Sequence, residues 1–60
     1  MEKHFALYTI YNDRTEKEEK SDSIINILEA AAIYLRDPNC RHVIIEDLQK
    51  DEFIFNFWNK

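Results

Sequence analysis

Residues 53–58 constrain the fold of this chain more than any other segment, because they read Phe-Ile-Phe-Asn-Phe-Trp. Aromatic and β-branched residues favour β-strands, and successive side chains of a strand point to opposite faces. Phe53, Phe55 and Phe57 therefore share one face of the strand, and Ile54 and Trp58 share the other. We expect the phenylalanine face to form the core and this segment to be the central strand of a sheet.

The length and composition predict one small folded domain that spans residues 1–60. A chain of this length buries only about 60% of the surface that it exposes when unfolded, so its stability is expected to be marginal. Hydrophobic residues make up 45% of the sequence and charged residues 33%, values that separate it from disordered chains. A domain this small often needs a staple or a partner to become stable.

Charge and residue usage narrow the classes of function. The net charge of -4 repels phosphate groups, which argues against nucleic acid and anionic membranes as partners. The sequence contains no glycine, so it has none of the glycine-rich loops that cradle phosphates. Cys40 is the single cysteine and no secretory apolar segment follows Met1, which together predict a cytoplasmic protein.

The order of elements along the chain is predicted to be strand, helix, strand, strand. Residues 3–11 form the first predicted strand, and the polar residues 12–20 predict a solvated loop. Ser21 and Ser23 can each cap the start of a helix. The helix is expected to extend to residue 36, because Pro38 disfavours helical geometry in the residue before it. The capping-box spacing of Thr15 and Glu18 leaves an earlier start of the helix open.

The helix and the second strand each present an apolar surface to the aromatic strand. At helical spacing one stripe collects four residues, Ile24, Leu28, Ala31 and Leu35, and we expect it to pack on the phenylalanines. Residues 42–46 predict the second strand, in a hairpin with the aromatic one. A loop of three or five residues would set Val43 and Ile45 beside the phenylalanines, whereas an even loop would put Glu46 on the core face.

The predicted fold class is α+β, a split β-α-β-β arrangement with one helix on one face of a three-stranded, mainly antiparallel sheet. The most apolar strand is expected in the middle, which gives the order 1-3-2. The alternative places the first strand directly beside the second, in parallel. The preferred arrangement resembles half of a ferredoxin-like fold, an architecture that many unrelated functions share.

One helix cannot cover both faces of such a sheet, so an open apolar face is expected. The predicted partner-binding or dimer surface consists of Tyr8, Ile10, Ile44, Ile54 and Trp58 on this face, with Ile33 on the polar side of the helix. The first strand is also expected to be an unprotected edge. A homodimer could form face to face or through the first strands, and we favour face packing because it covers Trp58.

No catalytic, cofactor-binding or metal site is predicted. His4, Cys40 and His42 could each bind zinc, but a structural site needs four ligands and His4 is on another strand. Glu46 and Asp47 are adjacent in a strand, so they point to opposite faces and cannot act as an acid and base pair.

The leading hypothesis is a small non-catalytic protein-interaction or regulatory module that self-associates and binds another protein. One alternative is an acidic decoy that occupies a nucleic-acid-binding protein, with Asp13, Glu16, Glu18, Glu19 and Asp22 near one end of the helix. A third is single-stranded nucleic-acid binding on Tyr8 and Trp58, although such stacking platforms lie in positively charged grooves.

Overall fold

The computed structural model describes residues 3–59, which form four strands and one helix. In chain order these are β1 (Phe5–Tyr11), β2 (Glu16–Ser21), α1 (Ile24–Tyr34), β3 (Cys40–Asp47) and β4 (Glu52–Trp58). The strands form one sheet in the order β2-β1-β3-β4, and every neighbouring pair is antiparallel. The α+β class with a single helix is therefore confirmed, and the sheet has one strand more than predicted.

The additional strand is β2, which occupies most of the predicted loop. It pairs with β1 from Ile10 opposite Glu16 to Phe5 opposite Ser21. Its sequence, Glu-Lys-Glu-Glu-Lys-Ser, contains no apolar residue, so it gave no strand signal. An edge strand can form on backbone hydrogen bonds alone, and charged side chains keep its free edge from pairing further. The earlier helix start at Thr15 is wrong for the same reason, because that segment enters β2.

The predicted strand order 1-3-2 is wrong, because the aromatic strand β4 lies at an edge and β1 and β3 form the centre. Leu7 and Thr9 of β1 and Val43 and Ile45 of β3 are fully buried. The first strand is paired on both sides, so its predicted open edge is wrong as well. The alternative order correctly placed β1 beside β3, but the two strands are antiparallel rather than parallel.

A split β-α-β unit is present, built from strands other than the predicted ones. Strands β2 and β3 flank β1 and are both antiparallel to it, so they run parallel to each other. Helix α1 connects them across β1. The unit therefore brackets β1, which leaves β4 as an addition at one side of the sheet.

The β3–β4 hairpin combines an even loop with a β-bulge. Asp47 pairs with Glu52, so the loop consists of residues 48–51 and not of three or five. The register shifts between Ile45 and Glu46, which restores Phe55 to its predicted position opposite Ile45. The same shift sets Phe53 opposite Glu46, on the face away from α1. The prediction that Phe53 lies on the core face is therefore wrong.

Helix α1 starts and stops close to the predicted positions. Ser23 is the N-cap, and its Oγ accepts a hydrogen bond from the Asn26 backbone N–H at 3.3 Å. The last turn ends at Leu35, whose N–H donates to the Ala31 carbonyl at 2.9 Å. Pro38 follows in the turn to β3, where the missing N–H and fixed φ prevent a longer helix.

The core lies between α1 and the two central strands. It is built from six buried residues: Leu7, Ile27, Ala31, Cys40, Val43 and Ile45. Over residues 3–59, α1 packs on β1, with β2 and β3 on either side, and does not extend over β4. The predicted stripe accordingly splits, because Ala31 is buried whereas Leu28 is 48% exposed. The helix packs on β1 and its two neighbours and not on the phenylalanine strand that was expected to receive it, although Phe55 of that strand packs against the core.

Candidate functional site

Strand β4 exposes large apolar side chains along its whole length. Phe53 is 65% exposed, Ile54 44%, Phe57 43% and Trp58 61%. Phe57 pairs with Val43 on the helix side of the sheet, whereas Trp58 pairs with His42 on the other side. We call these four side chains, together with the outer edge of β4, the β4 surface. It is apolar on both faces of one strand.

The outer edge of β4 offers free backbone groups. The Asn59 N–H donates to the Arg41 carbonyl at 2.8 Å, which identifies the two as a hydrogen-bonded pair of β3 and β4. Such pairs alternate along an antiparallel ladder, so the next ones involve Phe57 and Phe55. The N–H and C=O groups of Asn56 and Trp58 therefore point outward. Within residues 3–59 no strand pairs with this edge.

Trp58 is held in place by its neighbours on β3. Its indole stacks on the His42 imidazole with ring centroids 3.7 Å apart. The His42 ring in turn contacts the Asn56 side-chain oxygen through Nε2. The Arg41 guanidinium carbon lies 6.0 Å from the indole centroid, within the range of a cation–π contact. The exposed indole is therefore fixed before any partner arrives, which lowers the entropic cost of binding.

The opposite edge of the sheet, formed by β2, is charged rather than apolar. Lys17 and Glu19 lie 3.6 Å apart, and Lys20 and Glu18 lie 3.7 Å apart, measured between nitrogen and oxygen. Interspersed lysine and glutamate side chains are the means by which natural sheets keep an edge unpaired. By contrast, residues 53–59 contain no charged side chain. One edge of this sheet is protected and the other is open.

Helix α1 adds apolar surface on the side that faces β4. The Tyr34 hydroxyl donates to Glu19 Oε1 at 2.7 Å, so the Tyr34 side of the helix faces β2. Leu28 lies roughly 120° around the axis from Tyr34, on the side towards β4. Leu28 and Ile25 are 48% and 65% exposed. Because α1 does not extend over β4, the helix-side face of β4, which carries Phe57, is also uncovered.

The face of the sheet away from α1 has charged borders. Tyr8 and Ile44 are half-buried neighbours on it, and Glu18 of β2 flanks Tyr8. The Tyr8 hydroxyl donates to Glu46 Oε1 at 3.0 Å. Burial and this hydrogen bond raise the pKa of Tyr8 above its ordinary value. The central strands are therefore less available to a partner than β4 is.

The predicted surface residues fall into three separate places. Tyr8, Ile10 and Ile44 are half-buried on the central strands, and Ile54 and Trp58 are exposed on β4. Ile33 is 64% exposed on α1, about 140° around the helix from Leu28. Phe53 and Phe57 were predicted to lie in the core and therefore not on this surface. The four-residue loop with its bulge accounts for the exposure of Phe53. Phe57 is on the predicted face but is exposed, because α1 does not extend over β4.

Two depressions in the described surface are formed by loops and strand ends. One, of about 410 Å³, is lined by Lys3, Lys20, Leu48 and Gln49. The other, of about 440 Å³, is lined by six residues, Tyr11, Asn12, Asp13, Thr15, Asp37 and Asn39. In the second, Asp13 accepts two hydrogen bonds from Thr15, and Asp37 accepts one from the Asn39 N–H. The hydrogen bonds from Thr15 lower the pKa of Asp13. These carboxylates serve the turns in which they lie.

The candidate metal ligands and the thiol have structural surroundings. Among the described residues, no group of three or more histidine, cysteine, aspartate or glutamate side chains is placed to hold a metal ion. Cys40 is buried in the core, and this burial raises the pKa of its thiol. A raised pKa suppresses the thiolate that nucleophilic chemistry requires.

No family model, curated protein or solved structure matches this chain. In the part of the chain that the structure describes, no helix is long and apolar enough to cross a membrane.

Proposed function

We propose that this chain is a small non-catalytic protein-interaction module that binds through the β4 surface. The observation that carries the proposal is that β4 is an edge strand with outward backbone groups and four large apolar side chains that are 43–65% exposed. An exposed hydrophobic edge of this kind adds a strand from another polypeptide. The backbone supplies affinity in this mode, and the aromatic side chains supply specificity.

The acidic-decoy alternative has weaker support. A decoy needs acidic groups that are free to bind a basic surface. Glu18 and Glu19 of β2 each lie beside a lysine of the same strand, and Glu19 also accepts the Tyr34 hydroxyl. Single-stranded nucleic-acid binding is supported only by Trp58, and within residues 3–59 Arg41 is the one arginine or lysine placed over its ring. We also propose that this chain has no catalytic activity.

Photocrosslinking in the producing cells tests the proposal. A photoreactive phenylalanine derivative replaces Phe53 or Phe57 in the β4 surface, and Ile33 in the matched control. Ile33 is as exposed as Phe53 but lies on α1. We expect the photoreactive group at positions 53 and 57 to form covalent adducts of one discrete mass. These adducts should disappear when excess protein without the photoreactive group is added. Equal adducts from position 33, or none from β4, would contradict the proposal.

A further inference from the structure

We infer that the polypeptide that pairs with β4 carries a lysine or arginine beside Glu52, at the carboxyl end of a strand whose preceding residues on that face are apolar. This inference rests on the proposed function and names the chemistry of the partner. The partner strand runs antiparallel to β4, as every neighbouring pair of strands in the described sheet does. It therefore ends where β4 begins, at Glu52.

Carboxylates surround the start of β4. Residues 46–52 contain one lysine, Lys50, and four acidic residues, Glu46, Asp47, Asp51 and Glu52. The two ion pairs within residues 3–59 both lie in β2. None of the four carboxylates therefore has a lysine or arginine at ion-pair distance in this part of the chain. A basic partner is the one that this end of the strand attracts.

The like-charge pair of Asp47 and Glu52 closes the β3–β4 ladder on the helix side of the sheet. Asp47 Oδ1 accepts the backbone N–H groups of Gln49 and Lys50, at 3.0 and 3.2 Å, so the loop fixes its position. Glu52 is exposed at the outer edge of the sheet. Like charges directly opposite each other destabilise a pair of strands. A cation on the outer side of Glu52 offsets this repulsion.

The β-bulge sets the spacing of the partner's side chains. Phe57 and Phe55 lie opposite the core residues Val43 and Ile45, on the helix side. The bulge puts Glu52 on this side as well, although it is the third residue before Phe55. Two residues of a bulged strand take the place of one in a regular strand. A regular partner strand therefore faces Phe57, Phe55 and Glu52 with every second residue.

The pattern that fits the partner strand, in chain order, is apolar, any, apolar, any, basic. The two apolar residues pair with the phenylalanines, and the basic one pairs with Glu52. Strand β4 does not contain this pattern, because Phe57 follows Phe53 and Phe55, and Asn59 follows Phe55 and Phe57. The pattern therefore favours a different polypeptide over the β4 of a second copy.

Two synthetic peptides test the charge. Both contain the sequence Val-Thr-Val-Val, which is followed by lysine in one peptide and by glutamate in the other. Trp58 is the only tryptophan of the chain, so its fluorescence reports binding at the β4 surface. The native chain should bind the lysine peptide about fivefold more tightly than the glutamate peptide. This preference should shrink as salt is added.

Charge variants and a displaced lysine are the controls. Glu52→Lys should abolish the preference for lysine, and Glu52→Gln, which keeps the shape of the side chain, should lessen it. Glu16→Lys makes the same change of net charge as Glu52→Lys, but on β2, and should keep the preference. A third peptide carries its lysine one position earlier, on the other face of the strand, and should lose most of the preference. A preference that survives in both Glu52 variants, or in the third peptide, would overturn the inference.

The outcomes also separate this inference from the proposed function. If the native chain binds the two peptides equally, or binds neither, while positions 53 and 57 form adducts with another protein, the basic partner is overturned and the proposed function stands. Absence of both peptide binding and adducts overturns both. Light scattering that shows a dimer which the lysine peptide does not dissociate would place a second copy at the edge and overturn the inference. A preference for lysine that Glu52→Lys abolishes and Glu16→Lys keeps supports it.

Discussion

The His42 imidazole lies flat against the Trp58 indole, with ring centroids 3.7 Å apart and planes inclined by 12°. His42 is only 6% exposed, whereas Trp58 is 61% exposed. One face of the indole thus covers a β3 side chain, and the rest of the ring faces solvent. This stacking links the stability of the sheet to the shape of the β4 surface.

A double-mutant cycle should detect that link. We expect the variants His42→Ala, Trp58→Ala and their combination to give a coupling free energy of about 1 kcal/mol, the usual size for stacked aromatic pairs. Urea unfolding of the four proteins measures it. If the two substitutions were additive, the stacking would contribute nothing beyond the area that each ring buries.

The position of α1 over the central strands predicts unequal effects at two adjacent helix residues. Ile27 is 2% exposed and Leu28 is 48% exposed. Ile27→Ala should lower the free energy of unfolding by roughly 2–5 kcal/mol, whereas Leu28→Ala should cost well under half as much. Denaturant unfolding of both variants provides the comparison. The dependence of the free energy of unfolding on denaturant concentration should stay unchanged. Similar losses at both positions would mean that the helix is rotated towards β4.

Thr9 is a position where we expect a simple replacement to stabilise the fold. Its side chain is fully buried, and its hydroxyl oxygen has no hydrogen-bond partner among the described residues. Thr9→Val removes the unsatisfied hydroxyl and keeps the shape, so it should raise the free energy of unfolding by about 1 kcal/mol. Thr15→Val is the control, because the Thr15 hydroxyl donates to Asp13 at 2.6 Å. A loss of stability in Thr9→Val would show that its hydroxyl is satisfied in solution.

The raised pKa of Tyr8 predicts a loss of stability in alkali. Burial, and then the hydrogen bond to Glu46, raise this pKa above the ordinary value of 10.0. The folded state therefore holds the phenolic proton more tightly, so the contribution is full below about pH 10 and is lost as the pH rises through the folded-state pKa. Tyr8→Phe should lessen that decline.

Part of the decline should remain in Tyr8→Phe, because burial also raises the pKa of Tyr11. Denaturant unfolding at a series of alkaline pH values measures the effect. An identical decline in the native chain and the variant would contradict the role assigned to Tyr8.

Hydrophobic pattern predicted the elements that bury apolar side chains and missed the one that does not. The β1, β3 and β4 segments, the helix with its Ser23 cap and the Val43 and Ile45 register all follow from apolar periodicity or turn chemistry. Strand β2 could not be found in this way, because Lys17 and Glu19 occupy its helix-side positions. It contributes backbone hydrogen bonds, which any sequence without proline can supply.

The order of the strands escaped prediction because hydrophobicity was equated with burial. The fully buried strand positions, among them Ala6 and Val43, belong to the two central strands, which are less aromatic than β4. The aromatic strand β4 is bulkier and lies at the edge. For the candidate site, Ile54 and Trp58 were predicted from alternation, whereas Phe53 was missed because a bulge reversed its face. A bulge depends on loop and ladder energies that alternation does not record.

Amide hydrogen exchange along β4 tests the central claim most directly. At low protein concentration the Phe55 and Phe57 amides, which bond to β3, should be protected, whereas the Asn56 and Trp58 amides should exchange freely. In the presence of the polypeptide crosslinked at Phe57, protection should appear at Asn56 and Trp58, while the outward Glu18 amide of β2 stays unprotected. Free exchange at Asn56 and Trp58 at every concentration, and also in the presence of any polypeptide crosslinked at Phe57, would contradict the account of β4 as a binding edge.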